Sequence, residues 1–132
     1  MRRFVVSLFV FLGACAGLVT GAAAQTLTAQ VLVQSEQAET RLIAERTTVA
    51  PGETLWLGLH IKMKQGWHTY WRTPGDSGLP TTINWTLPQG MSAGAIQWPP
   101  PERVPTGDLM NFGYEHEVTL LTPRSEEHTS EL

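Results

Sequence analysis

The chain has 132 residues and is 42% hydrophobic, but residues 1–24 alone hold 17 of the apolar residues and raise this average. The part from residue 25 to residue 123 carries six Lys or Arg against nine Asp or Glu, which leaves no basic excess for binding a nucleic-acid backbone. A body of this size is sufficient for one small domain, and no apolar run after residue 24 is long enough to span a membrane.

The N-terminus has the pattern of a secretory signal peptide. Two arginines precede an apolar run, and small residues lead up to Ala24 and Gln25. These features predict a leader over residues 1–24 that is cleaved between Ala24 and Gln25. The run that ends at Cys15 also resembles a lipoprotein box, in which that cysteine would carry a lipid, and this alternative stays open. Either route exports the body, which in a bacterium means the periplasm or the cell surface.

The body has the pattern of strands and turns. Residues 55–63 alternate apolar with other side chains, which predicts a strand with one buried face. Pro51 and Gly52, just before this strand, suit a tight turn. Further strands are predicted over residues 27–34, 41–48, 83–87 and 114–121, and no stretch has a convincing helical period. Short strands separated by Gly and Pro indicate an all-β fold, an immunoglobulin-like antiparallel β-sandwich.

Aromatic side chains and a histidine are concentrated in residues 66–72. Because side chains alternate along a strand, Trp67 and Trp71 would share one side, and His68 and Tyr70 the other. We expect the tryptophans to lie in the core and His68 with Tyr70 to face a site. The alternative interpretation is that all of these aromatic residues belong to the core and have no binding role.

Residues 75–78 (GDSG) resemble the nucleophile segment of trypsin-like serine proteases. That mechanism also needs a distant histidine base and a fold of about twice this size, so we interpret these residues as a tight turn.

Residues 115–117 (EHE) could suggest a metal site. On one strand, however, Glu115 and Glu117 would point to one side and His116 to the other, which favours a solvated strand face. We therefore expect neither a metal nor another cofactor.

Proline is concentrated in residues 98–105, and proline cannot donate to a β-ladder. This segment is therefore predicted to be a stiff surface loop that runs to about Asn111, and not a central strand. Long ordered loops in compact domains often have a function, which makes this one a candidate lid.

The last residues, 124–132, change abruptly to a charged, polar composition. They match the in-frame translation of a common sequencing adapter, and we exclude them from the fold as an artefactual tail; a disordered polar tail is the alternative. The domain is therefore expected to occupy residues 25–123, as a fragment of a longer protein whose fold is incomplete at its C-terminus.

Residues 66–80 (GWHTYWRTPGDSGLP), 96–99 (IQWP) and 111–115 (NFGYE) together resemble the N-terminal periplasmic domain of the DsbD/ScsB-type thiol:disulfide interchange proteins. The likeness extends over residues 45–121. It implies an immunoglobulin-like domain that passes reducing equivalents to disulfide-containing proteins of the periplasm. It also implies a parent protein-disulfide reductase with a multi-helix membrane domain and a thioredoxin-like domain, the latter being a partner of this one.

The resemblance further implies a closely spaced cysteine pair, a cap loop that shields it and aromatic side chains that flank it. By position, His68 and Tyr70 resemble the flanking segment. The residues that resemble the cap-loop region are Pro100, Glu102, Arg103, Asp108, Leu109, Met110 and Asn111. Residues 25–132 contain no cysteine, so thiol–disulfide exchange has no nucleophile there. We expect this fragment to be inactive alone, and to fold poorly because missing strands leave sheet edges uncovered.

Two other functions stay open on the residues alone. The domain could be a non-enzymatic periplasmic binding module that uses its aromatic surface to contact a glycan or a protein. It could also be a purely structural sandwich domain, in which replacing Tyr70 or Trp71 by alanine mainly destabilises the fold. The resemblance favours the reductase fragment over both.

Overall fold

The computed structural model describes residues 7–11, 25–26 and 32–126. No helix occurs in these ranges, and so none that is long and apolar enough to cross a membrane. Two larger antiparallel sheets form an immunoglobulin-like β-sandwich, which confirms the predicted fold class. The strands in chain order are β1 (Ser7–Phe11), β2 (Gln25–Thr26), β3 (Leu32–Gln34), β4 (Ala38–Ala44), β5 (Thr48–Val49), β6 (Leu55–Met63), β7 (His68–Gly75), β8 (Thr82–Thr86), β9 (Met91–Ala93), β10 (Glu102–Thr106), β11 (Leu109–Glu115) and β12 (Glu117–Glu126).

The larger sheet has the strand order β3-β4-β6-β12-β9, with β6 at its centre. Leu59 of β6 lies opposite Leu42 on one side and Leu120 on the other, and all three side chains are buried. The alternate apolar residues of β6 share this face because successive side chains along a strand point to opposite sides. The strand predicted over residues 55–63 is confirmed at both of its ends.

The smaller sheet has the strand order β10-β11-β7. Its Tyr114 belongs to one buried cluster with Leu59 and Val118 of the larger sheet, so that the core lies between the two sheets. Trp67 and Trp71 are partly buried against the same cluster. Removal of this apolar surface from water stabilises the sandwich by roughly 25 cal/mol for each Å².

Two short pairs of strands involve the N-terminal residues. β1 pairs in parallel with β8, and β2 pairs with β5. β1 lies within the predicted leader, whereas Ala24 and Cys15 lie outside the described residues, so the cleavage site and the lipid alternative stay predictions. The strand predicted over residues 27–34 is described only from Leu32, as β3, and the strand predicted over residues 41–48 begins and ends earlier, as β4.

The single strand predicted over residues 114–121 is wrong, because two strands meet there. β11 ends at Glu115 in the smaller sheet, and β12 begins at Glu117 in the larger one. His116 between them has a left-handed φ of 67°, and its carbonyl accepts a hydrogen bond from the Met63 N–H at 2.7 Å. The alternation of apolar and polar residues does not predict that one residue between two strands has a left-handed backbone. Glu115 and Glu117 therefore lie in different sheets and not on one strand face.

The proline-rich segment, residues 98–105, is only partly the predicted loop. Residues 98–101 lie outside any strand, whereas β10 begins at Glu102 and forms a hairpin with β11. β10 pairs with β11 along its whole length, with Pro105 opposite Met110. β10 is an edge strand of the smaller sheet, and an edge strand tolerates a proline because its outer side needs no hydrogen-bond donor. The exclusion of a central strand holds. The prediction of a loop that runs to Asn111 is wrong from Glu102 onward, because the proline rule does not exclude an edge strand.

β12 continues to Glu126, beyond the predicted domain end at Pro123. Arg124 pairs with both neighbouring strands, its side chain is buried, and its guanidinium donates to the sulfur of Met91. The first residues of the predicted tail thus complete a strand, whereas residues 127–132 lie outside the described part of the chain. The origin of the tail stays a prediction.

Candidate functional site

β7 carries the aromatic segment through the smaller sheet. Its pairing with β11 places Thr69 opposite Tyr114, and Thr69 is 2% exposed. Trp67 and Trp71, on the same side as Thr69, are partly buried against the core, as the alternation predicts. The Arg72 guanidinium lies 5.0 Å from the ring centre of Trp71, which is a cation–π arrangement. This side of β7 therefore serves the fold.

His68 and Tyr70 lie together on the other side of β7. Their ring centres are 4.9 Å apart and their planes meet at 82°, which makes an edge-to-face pair. His68 is half-buried, whereas Tyr70 is only 6% exposed. The backbone of Gly78 covers the tyrosine ring so closely that a Cβ at this position would lie 2.6 Å from Cε2. The pair therefore presents its histidine to solvent and encloses its tyrosine.

The chain bends at Asp76 and Ser77, directly after β7, and we call this bend the turn; the sequence interpretation placed a tight turn over residues 75–78. β7 ends at Gly75, and Ser77 then contacts the hairpin of β10 and β11. The Ser77 hydroxyl donates to Oδ1 of Asn111 at 3.1 Å, and the Ser77 backbone N–H donates to the same oxygen at 2.9 Å. A protease nucleophile would instead be hydrogen-bonded to a histidine ring. The serine is therefore a structural residue of the turn.

The hairpin contains six of the seven residues that the family resemblance assigns to a cap, and the seventh, Pro100, precedes it. Asn111 is 0% exposed, and its Nδ2 donates to Oγ1 of Thr106 at 3.2 Å. Leu109 and Met110, which precede it, are 44% and 38% exposed although both are large and apolar. The other assigned residues are exposed too: Pro100, Glu102, Arg103 and Asp108. The hairpin tip is thus a small apolar surface beside a buried polar anchor.

Tyr114 holds the base of the hairpin. Its hydroxyl donates to the Pro99 carbonyl at 2.7 Å, and this contact fixes the proline-rich segment that leads into β10. Burial raises the pKa of Tyr114 to about 12, because the phenolate form would lose its hydration. The hydroxyl therefore keeps its proton, and can donate this hydrogen bond, up to a more alkaline pH than an ordinary tyrosine.

One polar pair lies apart from this surface, on the outer face of the larger sheet. His60 Nε2 and Glu117 Oε2 are 3.2 Å apart there. Within the described ranges, no three His, Cys, Asp or Glu side chains are gathered as the ligands of a metal ion would be. The single cysteine of the sequence, Cys15, lies outside those ranges. The described residues of the site therefore contain neither a thiol nor such a cluster.

Sequence reasoning missed the backbone contacts that join the turn to the hairpin. The Asp76 N–H donates to the Met110 carbonyl at 3.1 Å, and the Met110 N–H donates to Oδ2 of Asp76 at 2.8 Å. These residues are 34 positions apart, and no local pattern indicates a contact over that distance. The only available signal was composition, since Asp and Ser in turns readily accept or donate hydrogen bonds to backbone groups.

Comparisons with known proteins give the relationships of the chain. A family model described as "Thiol:disulfide interchange protein DsbD, N-terminal" matches residues 29–132. The crystal structure of the N-terminal periplasmic domain of ScsB from Proteus mirabilis is similar, at 25% sequence identity and a TM-score of 0.57. This similarity covers 76% of our chain and 39% of that chain, so the protein spans well under half the length of that ScsB domain. No curated protein matches the chain.

Proposed function

Because the chain belongs to the family of DsbD N-terminal domains, we propose that it is the exported N-terminal part of a protein that passes reducing equivalents to disulfide-containing proteins of the periplasm. The structural observation that carries this proposal is the fixed β10–β11 hairpin beside the aromatic pair. The antiparallel pairing of β11 with β7 puts Gly113 opposite Tyr70 and Glu115 opposite His68. A hairpin in this position can shield a reactive thiol from partners that do not fit.

The exchange chemistry requires cysteines that residues 25–132 do not contain. We propose that a cysteine pair follows in the longer polypeptide, beyond Pro123, close to the hairpin in the folded protein. One thiolate of that pair attacks a sulfur of the partner's disulfide, and a mixed disulfide forms as the first partner thiol leaves. The second thiol then displaces the remaining partner sulfur. Two electrons and two protons pass to the partner, and the pair itself becomes a disulfide, which a thioredoxin-like partner reduces again.

The described residues have a supporting role in this scheme. His68 and Tyr70 flank the proposed cysteine pair, and the hairpin caps it. Leu109 and Met110 at the hairpin tip give an incoming protein an apolar surface to contact, because large exposed apolar side chains gain most from burial at an interface. We therefore assign binding and shielding to this chain, and electron transfer to the complete protein.

The alternative of a glycan-binding module has less support from the geometry. A sugar stacks on an exposed aromatic face, but Tyr70 is enclosed beneath Gly78. Trp71 is partly buried, and its ring already contacts the Arg72 guanidinium. Neither ring of this strand therefore presents a free face for stacking.

Reading the gene beyond codon 123 from an independent assembly tests the proposal first. We expect a closely spaced cysteine pair, then several membrane spans and a thioredoxin-like segment with two cysteines separated by two residues. The same reading shows whether residues 124–132 are native. A stop codon soon after Pro123, or an exported domain without cysteines, would exclude the proposed function.

The longer gene product tests the role of the hairpin. The reduced protein is mixed with a disulfide-containing protein. The exchange is followed by the loss of thiols from the reduced protein, which alkylation and mass spectrometry distinguish from the thiols that the partner gains. Replacing both Leu109 and Met110 by serine is expected to slow this exchange by about tenfold, because apolar contact with the partner is lost. The matched control is Ile43→Ser, which changes a side chain of similar exposure, 46%, on the larger sheet. Equal rates for the hairpin variant, the control and the wild type would contradict this role.

A further inference from the structure

Hydrogen bonds join the turn after β7 to the hairpin. The residues involved are Asp76 and Ser77 on the turn and Met110 and Asn111 on the hairpin, and we call these four residues the latch. The backbone N–H and the hydroxyl of Ser77 both donate hydrogen bonds to Oδ1 of Asn111, at 2.9 and 3.1 Å. The Asp76 N–H donates to the Met110 carbonyl at 3.1 Å, and the Asp76 carboxylate accepts a hydrogen bond from the Met110 N–H at 2.8 Å. The latch thereby holds the turn and the hairpin together as one unit.

The two halves of the latch differ in burial. Asn111 is fully buried, and its amide is satisfied by Ser77 on one side and Thr106 on the other. An unsatisfied buried amide is costly, so this half strongly favours the closed arrangement. Asp76 is exposed, and water can replace the Met110 N–H as its partner at little cost. Opening of the latch can therefore begin at Asp76.

The closed latch keeps Tyr70 covered. Gly78 follows Ser77 directly, and a Cβ at Gly78 would meet Cζ and Cε1 of the Tyr70 ring. If the turn moves away from the hairpin, Gly78 moves with it and the ring becomes accessible. The base of the hairpin is held independently, by the hydrogen bond from Tyr114 to Pro99, and does not need to move.

We propose that the latch controls access to the face formed by His68 and Tyr70. It opens locally, so that the turn lifts off Tyr70 while the two sheets stay packed. The assignment of this face as the flank of a redox site rests on the proposed function. The local opening of the latch rests only on the contacts of its four residues and on the contact of Gly78 with Tyr70.

The two tyrosines of the sequence, Tyr70 and Tyr114, report on this opening in the full chain. Tetranitromethane nitrates a tyrosine ring at its Cε atoms, which at Tyr70 lie beneath Gly78. Both tyrosines are buried, so both should react slowly in the wild type. Peptide mapping by mass spectrometry measures the two nitration rates separately. Because a buried ring reacts only when the structure around it opens, each nitration rate is a measure of local opening.

Two variants weaken the latch without removing the buried Asn111. Asp76→Ala deletes the acceptor of the Met110 N–H, and Ser77→Ala deletes one donor to Asn111. Each is expected to raise the nitration rate of Tyr70 by roughly tenfold, the effect of losing about one hydrogen bond. Asp76→Asn keeps an oxygen acceptor and should return the rate towards that of the wild type. The matched control is Asp108→Ala, which removes an exposed carboxylate from the same hairpin and should change neither rate.

The outcomes separate the latch from the general stability of the fold. A rise confined to Tyr70 in the latch variants supports local opening. An unchanged Tyr70 rate would overturn the proposal, and so would an equal rise at Tyr70 and Tyr114, because it would show that these contacts hold the whole sandwich. No cysteine takes part in this experiment, so its result is independent of whether the redox function is correct.

Discussion

Replacing Gly78 by alanine measures how closely the turn covers Tyr70. The substitution adds one methyl group at a position where the backbone lies against the tyrosine ring. Gly66→Ala is a matched control, because Gly66 also has a positive φ but nothing lies within 4 Å of the position of its Cβ. The comparison of the two variants therefore separates steric contact from backbone strain.

Two costs add at Gly78. Its φ of 92° lies in the left-handed region, where a Cβ costs about 1–2 kcal/mol. The new methyl group would also press on the Tyr70 ring, and overpacking of this kind costs about 1–3 kcal/mol. Gly66, with a φ of 85°, carries only the first cost. Because the change in the unfolded chain is the same at both sites, the difference of about 2 kcal/mol is due to the contact with Tyr70.

Thermal unfolding followed by circular dichroism measures this difference. For a domain of this size, about 2 kcal/mol corresponds to a Tm difference of roughly 8–16 °C between the two variants. In a Tyr70→Ala background, the cost of Gly78→Ala should fall to that of Gly66→Ala, since the ring is no longer present. Equal destabilisation by the two glycine substitutions, or an extra cost that persists without Tyr70, would refute the close contact.

Three further predictions concern other parts of the chain. Tyr114→Phe removes the hydrogen bond to Pro99 and should lower stability at neutral pH by about 1 kcal/mol. Because the pKa of Tyr114 is about 12 in the fold and 10.0 ordinarily, wild-type stability in urea should fall as the pH rises from 10 to 12, while the variant should lack this loss. His116→Val should destabilise by about 1–2 kcal/mol in urea because His116 is left-handed, whereas His116→Gly should not; equal effects would contradict this explanation. After export, intact-mass measurement should find Gln25 at the N-terminus, and a lipid on Cys15 would exclude that cleavage.

Much of the fold can be predicted from local pattern because burial alternates along a strand. The period of two over residues 55–63 determines the bounds of β6 and the side that is buried. The turn at Pro51 and Gly52 is also local, and it is closed by a hydrogen bond from the Glu53 N–H to the Ala50 carbonyl at 3.1 Å. The same reasoning places Trp67 and Trp71 on the core side of β7. Each of these features depends on residues that are close together in the sequence.

The candidate site is less predictable because its contacts join distant segments. The alternation separates His68 and Tyr70 from the tryptophans, but it does not show that Gly78 covers Tyr70. The proline count correctly excludes a central strand in residues 98–105, but it does not distinguish an edge strand from a loop. These outcomes depend on which strands become neighbours, and pairing of strands is decided by the whole core.

The amino-acid sequence by itself determines that this protein is an all-β domain, and that residues 55–63 form a strand with one buried face. It also determines that residues 25–132 contain no thiol. Only the tertiary structure decides that the chain changes sheets at His116 and that Asn111 binds Ser77 across 34 positions. The physical reason is that alternation encodes the burial of a side chain, whereas a hydrogen bond between a turn and a hairpin exists only once sheet packing has brought the two together.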